Sequence, residues 1–133
     1  MSYLLDVNIL VAWGWDDHAD HARVEKWLVA LIKSGRDKIQ TSAIPELGFV
    51  RVSIQRSQGH ITAAQAGEVL DGLLLTLGGL HEFLPDDQNA RDWPAWCQGA
   101  ARTTDAHLLA LAKAHGTKLA TLDKGIPGAF VIP

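Results

Sequence analysis

The sequence has few of the features that mark a secreted or membrane-bound chain. It holds a single cysteine, Cys97, among 133 residues. That excludes an intrachain disulfide framework and any zinc cluster built on several cysteines. No apolar run approaches the length of a membrane span, because Asp, Glu, Lys, Arg or His interrupts each one. The N-terminus lacks the basic region, long apolar stretch and small-residue cleavage site of a secretory signal. Together these absences predict a cytoplasmic protein with no membrane partner. The net charge is small as well, −3 from 12 basic and 15 acidic residues. A generic nucleic-acid coat is usually strongly basic, whereas a few clustered carboxylates that bind a cation would account for a mild acidity. Internal repeats and low-complexity tracts are absent.

What is present fits a globular domain. Apolar residues make up 47% of the chain and charged ones 20%, far from the balance of a disordered protein. The length predicts one domain over residues 1–133 with a core of its own. "YLLDV" (Tyr3–Val7) has the length and composition of a strand buried on both faces, apart from Asp6. Asp17 is placed to cap a helix over 18–34, with His21, Val24, Trp27, Leu28 and Leu31 as its stripe and Ser34-Gly35 as its stop. "KIQTS" (Lys38–Ser42) predicts a short strand. A helix capped by Thr41 or Ser42 follows to about Gln55, with Pro45 tolerated in its first turn. Thr62 and Gln65 form a capping-box pattern before a helix that ends at Gly78-Gly79. "HEFLP" (His81–Pro85), "KLATL" (Lys118–Leu122) and "AFVIP" (Ala129–Pro133) predict further strands. A helix capped by Thr103 or Thr104 runs to His115, while residues 86–101 stay ambiguous. Strands alternating with helices predict an α/β fold, with a mainly parallel sheet and helices on both faces.

In such folds ligands sit outside the carboxyl ends of the strands. Asp6 and Asp123 are expected at the ends of two strands, and Glu46 and Asp105 in the first turns of two helices at the same edge. Asp105 shares a helix side with Leu108, Leu109 and Ala112, and Glu46 shares one with Phe49, Val50 and Ser53. Both acids should therefore face the sheet, and the four carboxylates are expected to converge at one pole. Taken singly, most have ordinary readings. An acid in a first helical turn complements the helix dipole, and Asp123 in "LDKG" is a common turn residue. Asp6, apolar on both sides, resists such a reading, because an unpaired buried carboxylate costs several kcal/mol (roughly).

Carboxylates gathered in one pocket take up protons or recruit cations. Hard oxygen ligands select Mg²⁺ or Mn²⁺, which suits phosphodiester hydrolysis by an activated water. The sequence offers no Ser-His or Cys-His arrangement for that task. It also has no Gly-x-Gly-x-x-Gly after the first strand, so a dinucleotide site lacks support. An aspartyl-phosphate phosphatase would show Asp-x-Asp on its nucleophile strand, but here the second position is Asn8.

Four segments, "LLDVNIL" (Leu4–Leu10), "TSAIPELGFVRV" (Thr41–Val52), "TTDAHLLALAKAHG" (Thr103–Gly116) and "LATLDKG" (Leu119–Gly125), follow in an order and at separations that resemble the PIN-domain ribonucleases. Within that family they resemble the VapC-type toxins of bacterial toxin–antitoxin pairs. The likeness spans essentially the whole chain. It implies a PIN-like three-layer α/β/α sandwich, related to RNase H and 5′-nucleases, around a mainly parallel sheet of four or five strands. It implies endoribonuclease activity dependent on Mg²⁺ or Mn²⁺, with catalytic and metal-binding roles on Asp6, Glu46, Asp105 and Asp123. Supporting polar roles fall on Asn8 and Thr121. A cognate VapB-type antitoxin, a homodimer and an RNA substrate are further implications. The alternative is a PIN-like module that binds RNA or a protein without catalysis.

Three basic residues are candidates for substrate phosphate. Arg102 and Lys124 flank Asp105 and Asp123, and Arg51 follows Glu46 on the same helix, where a solvated charge is the competing reading. His18 and His21 have a helical ligand spacing but lack a third partner, which favours a packing or solvent role. Trp93 and Trp96, beside Pro94, are expected at an interface or a substrate edge.

Overall fold

The computed structural model describes residues 1–133. Its five strands are β1 (Ser2–Leu5), β2 (Lys38–Thr41), β3 (His81–Phe83), β4 (Lys118–Thr121) and β5 (Phe130–Val131). They form one sheet in the order β3-β2-β1-β4-β5. Every pairing is parallel, with Leu4 opposite Gln40 on one side and Leu119 on the other. All five carboxyl ends therefore lie along one edge. The sheet is wholly parallel, where the sequence predicted a mainly parallel one.

Five α-helices cover it: α1 (Val7–Gly14), α2 (His21–Ser34), α3 (Ala43–Arg56), α4 (Ala63–Leu75) and α5 (Thr103–Ala114). Side chains alternate along a strand, and the two cores follow that parity. Tyr3, Leu5, Ile39 and Ala120 pack with buried residues of α1 to α4, including Ile9, Trp27, Leu28, Phe49 and Leu70. Leu4 and Leu119 point the other way, onto Leu108, Leu109, Leu111 and Ala112 of α5. The result is an α/β/α sandwich with four helices on one face and one on the other. No helix is long and apolar enough to cross a membrane.

Several local expectations change. The first strand stops at Leu5, and Asp6 becomes the N-cap of α1, a helix the sequence reading missed. Five of the eight residues of α1 are buried; a helix apolar on nearly every side lacks the amphipathic period that reveals one. The second helix starts at His21, with Asp20 and not Asp17 at its cap, and Asp17 instead pairs with Arg56 at 3.1 Å. Helix α5 starts at Thr103 with no side-chain cap bond. Residues 86–101 are almost entirely irregular. Ser42 stands at the N-cap of α3 but makes no cap bond, its hydroxyl donating to Leu84 O instead, and α4 ends at Leu75, short of Gly78-Gly79. Two expectations hold: Thr62 and Gln65 complete their capping box, and Gly35 closes α2 in the left-handed conformation with φ 64°.

Candidate active site

At the strand-end edge, one hydroxyl organises the surroundings of Asp6. Thr121, the last residue of β4, is fully buried. Its Oγ1 donates to Asp6 Oδ2 at 2.7 Å. The same oxygen accepts from Asn8 Nδ2 at 3.1 Å and from the Asp123 backbone N–H at 3.0 Å. A hydroxyl has one donor and two acceptor sites, so Thr121 is saturated. Asn8, in the first turn of α1, also accepts from the Leu122 backbone N–H at 3.2 Å. Asp6 Oδ1 accepts from the Val7 N–H at 2.7 Å, and the Asp6 N–H donates to Ala120 O at 2.9 Å. Asp6, Asn8, Thr121 and Asp123 thus form one hydrogen-bonded unit, with strands β1 and β4 as its rigid base. Each Asp6 oxygen keeps a free lone pair.

Asp6 is only 3% exposed, and no basic group neutralises it. Burial pushes its carboxyl up to about 6, against the opposing bonds from Thr121 and Val7, and Asp105 and Asp123 push it further in the same direction. Burial likewise raises Asp105, with Asp123 adding to the rise and Arg102 opposing it. Three aspartates from β1–α1, α5 and the turn after β4 thus share one electrostatic neighbourhood.

Glu46 is held differently. It lies half-buried in the first turn of α3, and Thr41 Oγ1 donates to its Oε2 at 2.6 Å. The Thr41 proton is thereby used, so the 2.8 Å contact between Thr41 Oγ1 and His81 Nε2 is one in which the imidazole donates. Burial holds His81 below its ordinary value, while Glu46 and Glu82 pull it up. Glu46 is not among the carboxylates that act on Asp6. No three His, Cys, Asp or Glu side chains are close enough to chelate an ion by themselves. The sequence reading missed Thr41 and His81; their link to Glu46 crosses from β3 to β2, and no spacing within one segment encodes it.

Of the basic candidates, Arg102 is at the pole. Its guanidinium donates to Gly125 O and lies 5.2 Å over the Trp96 ring. Gly125 is where the backbone must come close: a Cβ there would sit 3.1 Å from Asp123 Oδ1 and 3.3 Å from Arg102 Nη1. Arg51, on α3, and Lys124, in the turn after Asp123, are both exposed. His18 lies before α2 and so does not share a helix with His21, and each is used structurally, with His21 Nδ1 2.8 Å from Ala12 O and His18 Nδ1 accepting from the Asp20 N–H at 3.0 Å.

The donor set suits a hard divalent cation: carboxylate oxygens with free lone pairs, a carboxyl displaced upward for want of a counter-charge, and polar neighbours that orient it. Because the acids ring the pole without closing on one point, waters would complete the coordination, as Mg²⁺ prefers.

Comparison with known proteins supplies independent findings. Residues 3–129 match the PIN domain. Ribonuclease VapC39 of Mycobacterium tuberculosis is 35% identical over 131 residues, covering 95% of this chain and 91% of that protein. Ribonuclease VapC38 of the same species is 42% identical over 126 residues, covering 92% and 86%. Among solved structures, VapBC2 from Rickettsia felis bound to a DNA fragment from its promoter superposes with a TM-score of 0.62 at 19% identity, over 98% of this chain and 96% of that one. Mycobacterium tuberculosis VapC20, a sarcin-ricin loop cleaving toxin, gives 0.62 at 14% identity, over 98% and 99%. The two structural likenesses speak for the fold.

Proposed function

The chain belongs to the PIN-domain family, and from that premise we propose that it is a metal-dependent endoribonuclease, the toxin of a toxin–antitoxin pair. In this reading residues 1–133 form one PIN domain acting on RNA in the cytoplasm, as a homodimer restrained by a cognate VapB-type antitoxin. The two similar proteins named ribonucleases support the reaction class, and the VapBC2 likeness supports the pairing. The observation that carries the site is Asp6: a buried carboxylate with no basic partner, pressed by Asp105 and Asp123.

Asp6, Asp105 and Asp123 would hold Mg²⁺ or Mn²⁺, with Glu46 facing the pole from α3. A cation bound there supplies an acidified water and neutralises charge at the scissile phosphate. The chain's own residues do the positioning. Thr121 and Asn8 fix the rotamer of Asp6 and the turn that carries Asp123. Thr41 aims Glu46, which is suited to orient the attacking water or take its proton. Arg102, tethered to Gly125 O, is placed to bind a phosphate oxygen next to Asp123, with exposed Lys124 and Arg51 further out.

The test is cleavage of single-stranded RNA in Mg²⁺ or Mn²⁺, with and without EDTA, by the wild type and by Asp6→Ala. Cleavage should vanish with the chelator and fall at least about a hundredfold in the variant, as expected when a group that stabilises the transition state is removed. Undiminished cleavage in both would reject this site, and RNA binding without turnover would favour a non-catalytic module.

A further inference from the structure

We propose that a hollow beside the amino end of α5 receives one unpaired base of the RNA, with Trp93 as its stacking surface. The proposal rests on the ribonuclease reading and names how the substrate would be held. Trp93 is 42% exposed, a large aromatic ring that folding leaves in water. Its indole N–H is already used, donating to Ala90 O at 3.1 Å. The ring is therefore anchored by its edge, and what it offers a ligand is a π face. With Cys97, Gln98, Gly99, Ala100 and Thr103 it walls a hollow of about 310 Å³. That space admits a planar base.

The irregular segment carrying Trp93 is tied down on both sides. Asp86 meets His107 at 2.6 Å and Asp87 meets His115 at 2.9 Å, both on the α5 side. At the other end Trp96 stacks under Arg102. A loop fixed this way presents Trp93 with little ordering left to be done on binding. The hollow also adjoins the carboxylate pole. Thr103 lines it, while the neighbouring Arg102 reaches Gly125 beside Asp123. A strand with a phosphate at Arg102 would pass beside the hollow that Thr103 and Trp93 line. Base-on-aromatic stacking reads single-stranded RNA and tolerates any sequence.

The test uses the full chain carrying Asp6→Asn, to prevent cleavage, and Mg²⁺. Fluorescence anisotropy compares a short labelled oligocytidine with an abasic ribose-phosphate chain of equal length, for the parent, Trp93→Ala and Trp93→Phe. The parent should prefer the oligocytidine. Trp93→Ala should weaken that binding about tenfold, within the range for loss of one stacked base, while Trp93→Phe retains most of it. All three should bind the abasic chain alike. Equal oligocytidine affinity in parent and Trp93→Ala would overturn the proposal, as would no saturable binding by the parent. A dimer in sedimentation that Trp93→Ala splits would also overturn it, since the ring would then be covered by a second copy. Cleavage by the otherwise unaltered chain separates the two readings. If RNA is cut but Trp93 is irrelevant, the stacking site alone fails; if RNA is neither bound nor cut, the ribonuclease reading fails with it.

Discussion

At the residue scale, Asp6 carries a cost that the fold does not relieve. Its carboxyl, raised from 3.8 to about 6, holds its proton more tightly in the folded chain than in the unfolded one. Between those values the folded state binds more protons, so stability falls as pH rises through that window. The displacement corresponds to about 3 kcal/mol. Without metal, Asp6→Asn should therefore be more stable than the wild type above pH about 6, and the gain should shrink toward pH about 4. Part of the gain is lost, because the amide has one acceptor oxygen and can serve only one of the Val7 N–H and the Thr121 hydroxyl. A net gain of about 1–2 kcal/mol remains, an unmade hydrogen bond being set against the relieved charge. Denaturation in EDTA at several pH values measures it, and a pH-independent difference would show that Asp6 is not strained. The misfit was legible in "YLLDVNIL", since an acid stood in a mostly apolar run. Its bonding was not, because Thr121 lies 115 positions away.

At the element scale, the pole depends on how closely α1 and α3 approach. Gly48 faces Val7, and a Cβ at Gly48 would sit 2.6 Å from Val7 Cγ2 and 2.9 Å from Cγ1. Val7 is β-branched and cannot swing aside within a helix. Ordinarily Gly→Ala inside a helix gains about 1 kcal/mol, but overpacking costs about 1–3 kcal/mol. The clash involves both branches of a stiff side chain, so overpacking should win. Gly48→Ala is expected to lower stability by about 1–2 kcal/mol in denaturant titration, and an unchanged or raised midpoint would contradict the close packing. The strands and the helices α2 to α5 could be read from caps, breakers and periodicity, though not their exact ends. Helix α1 could not, because burial on nearly all sides erases the period. Residues 86–101 gave no pattern either, and what holds them is tertiary: the pairs Asp86–His107 and Asp87–His115.

At the scale of the whole molecule, parallel topology carries the acids to one edge. β1 lies between β2 and β4, so the ends of β1 and β4 bring Asp6 and Asp123 side by side. α5, on the opposite face from α3, adds Asp105. The sequence implied this edge through the alternation of strands and helices, but the strand order and the separate tether of Glu46 came only with the fold. This edge is thereby proposed as a cation site held by Asp6. Calorimetric titration of the metal-free chain with Mn²⁺ tests it most directly, comparing wild type with Asp6→Asn. The wild type should bind Mn²⁺ saturably and Asp6→Asn at least about tenfold more weakly, the size of effect expected when the groups around a metal are disturbed, while the circular dichroism of the variant is unchanged. Equal Mn²⁺ binding by both chains, or none by the wild type, would contradict it.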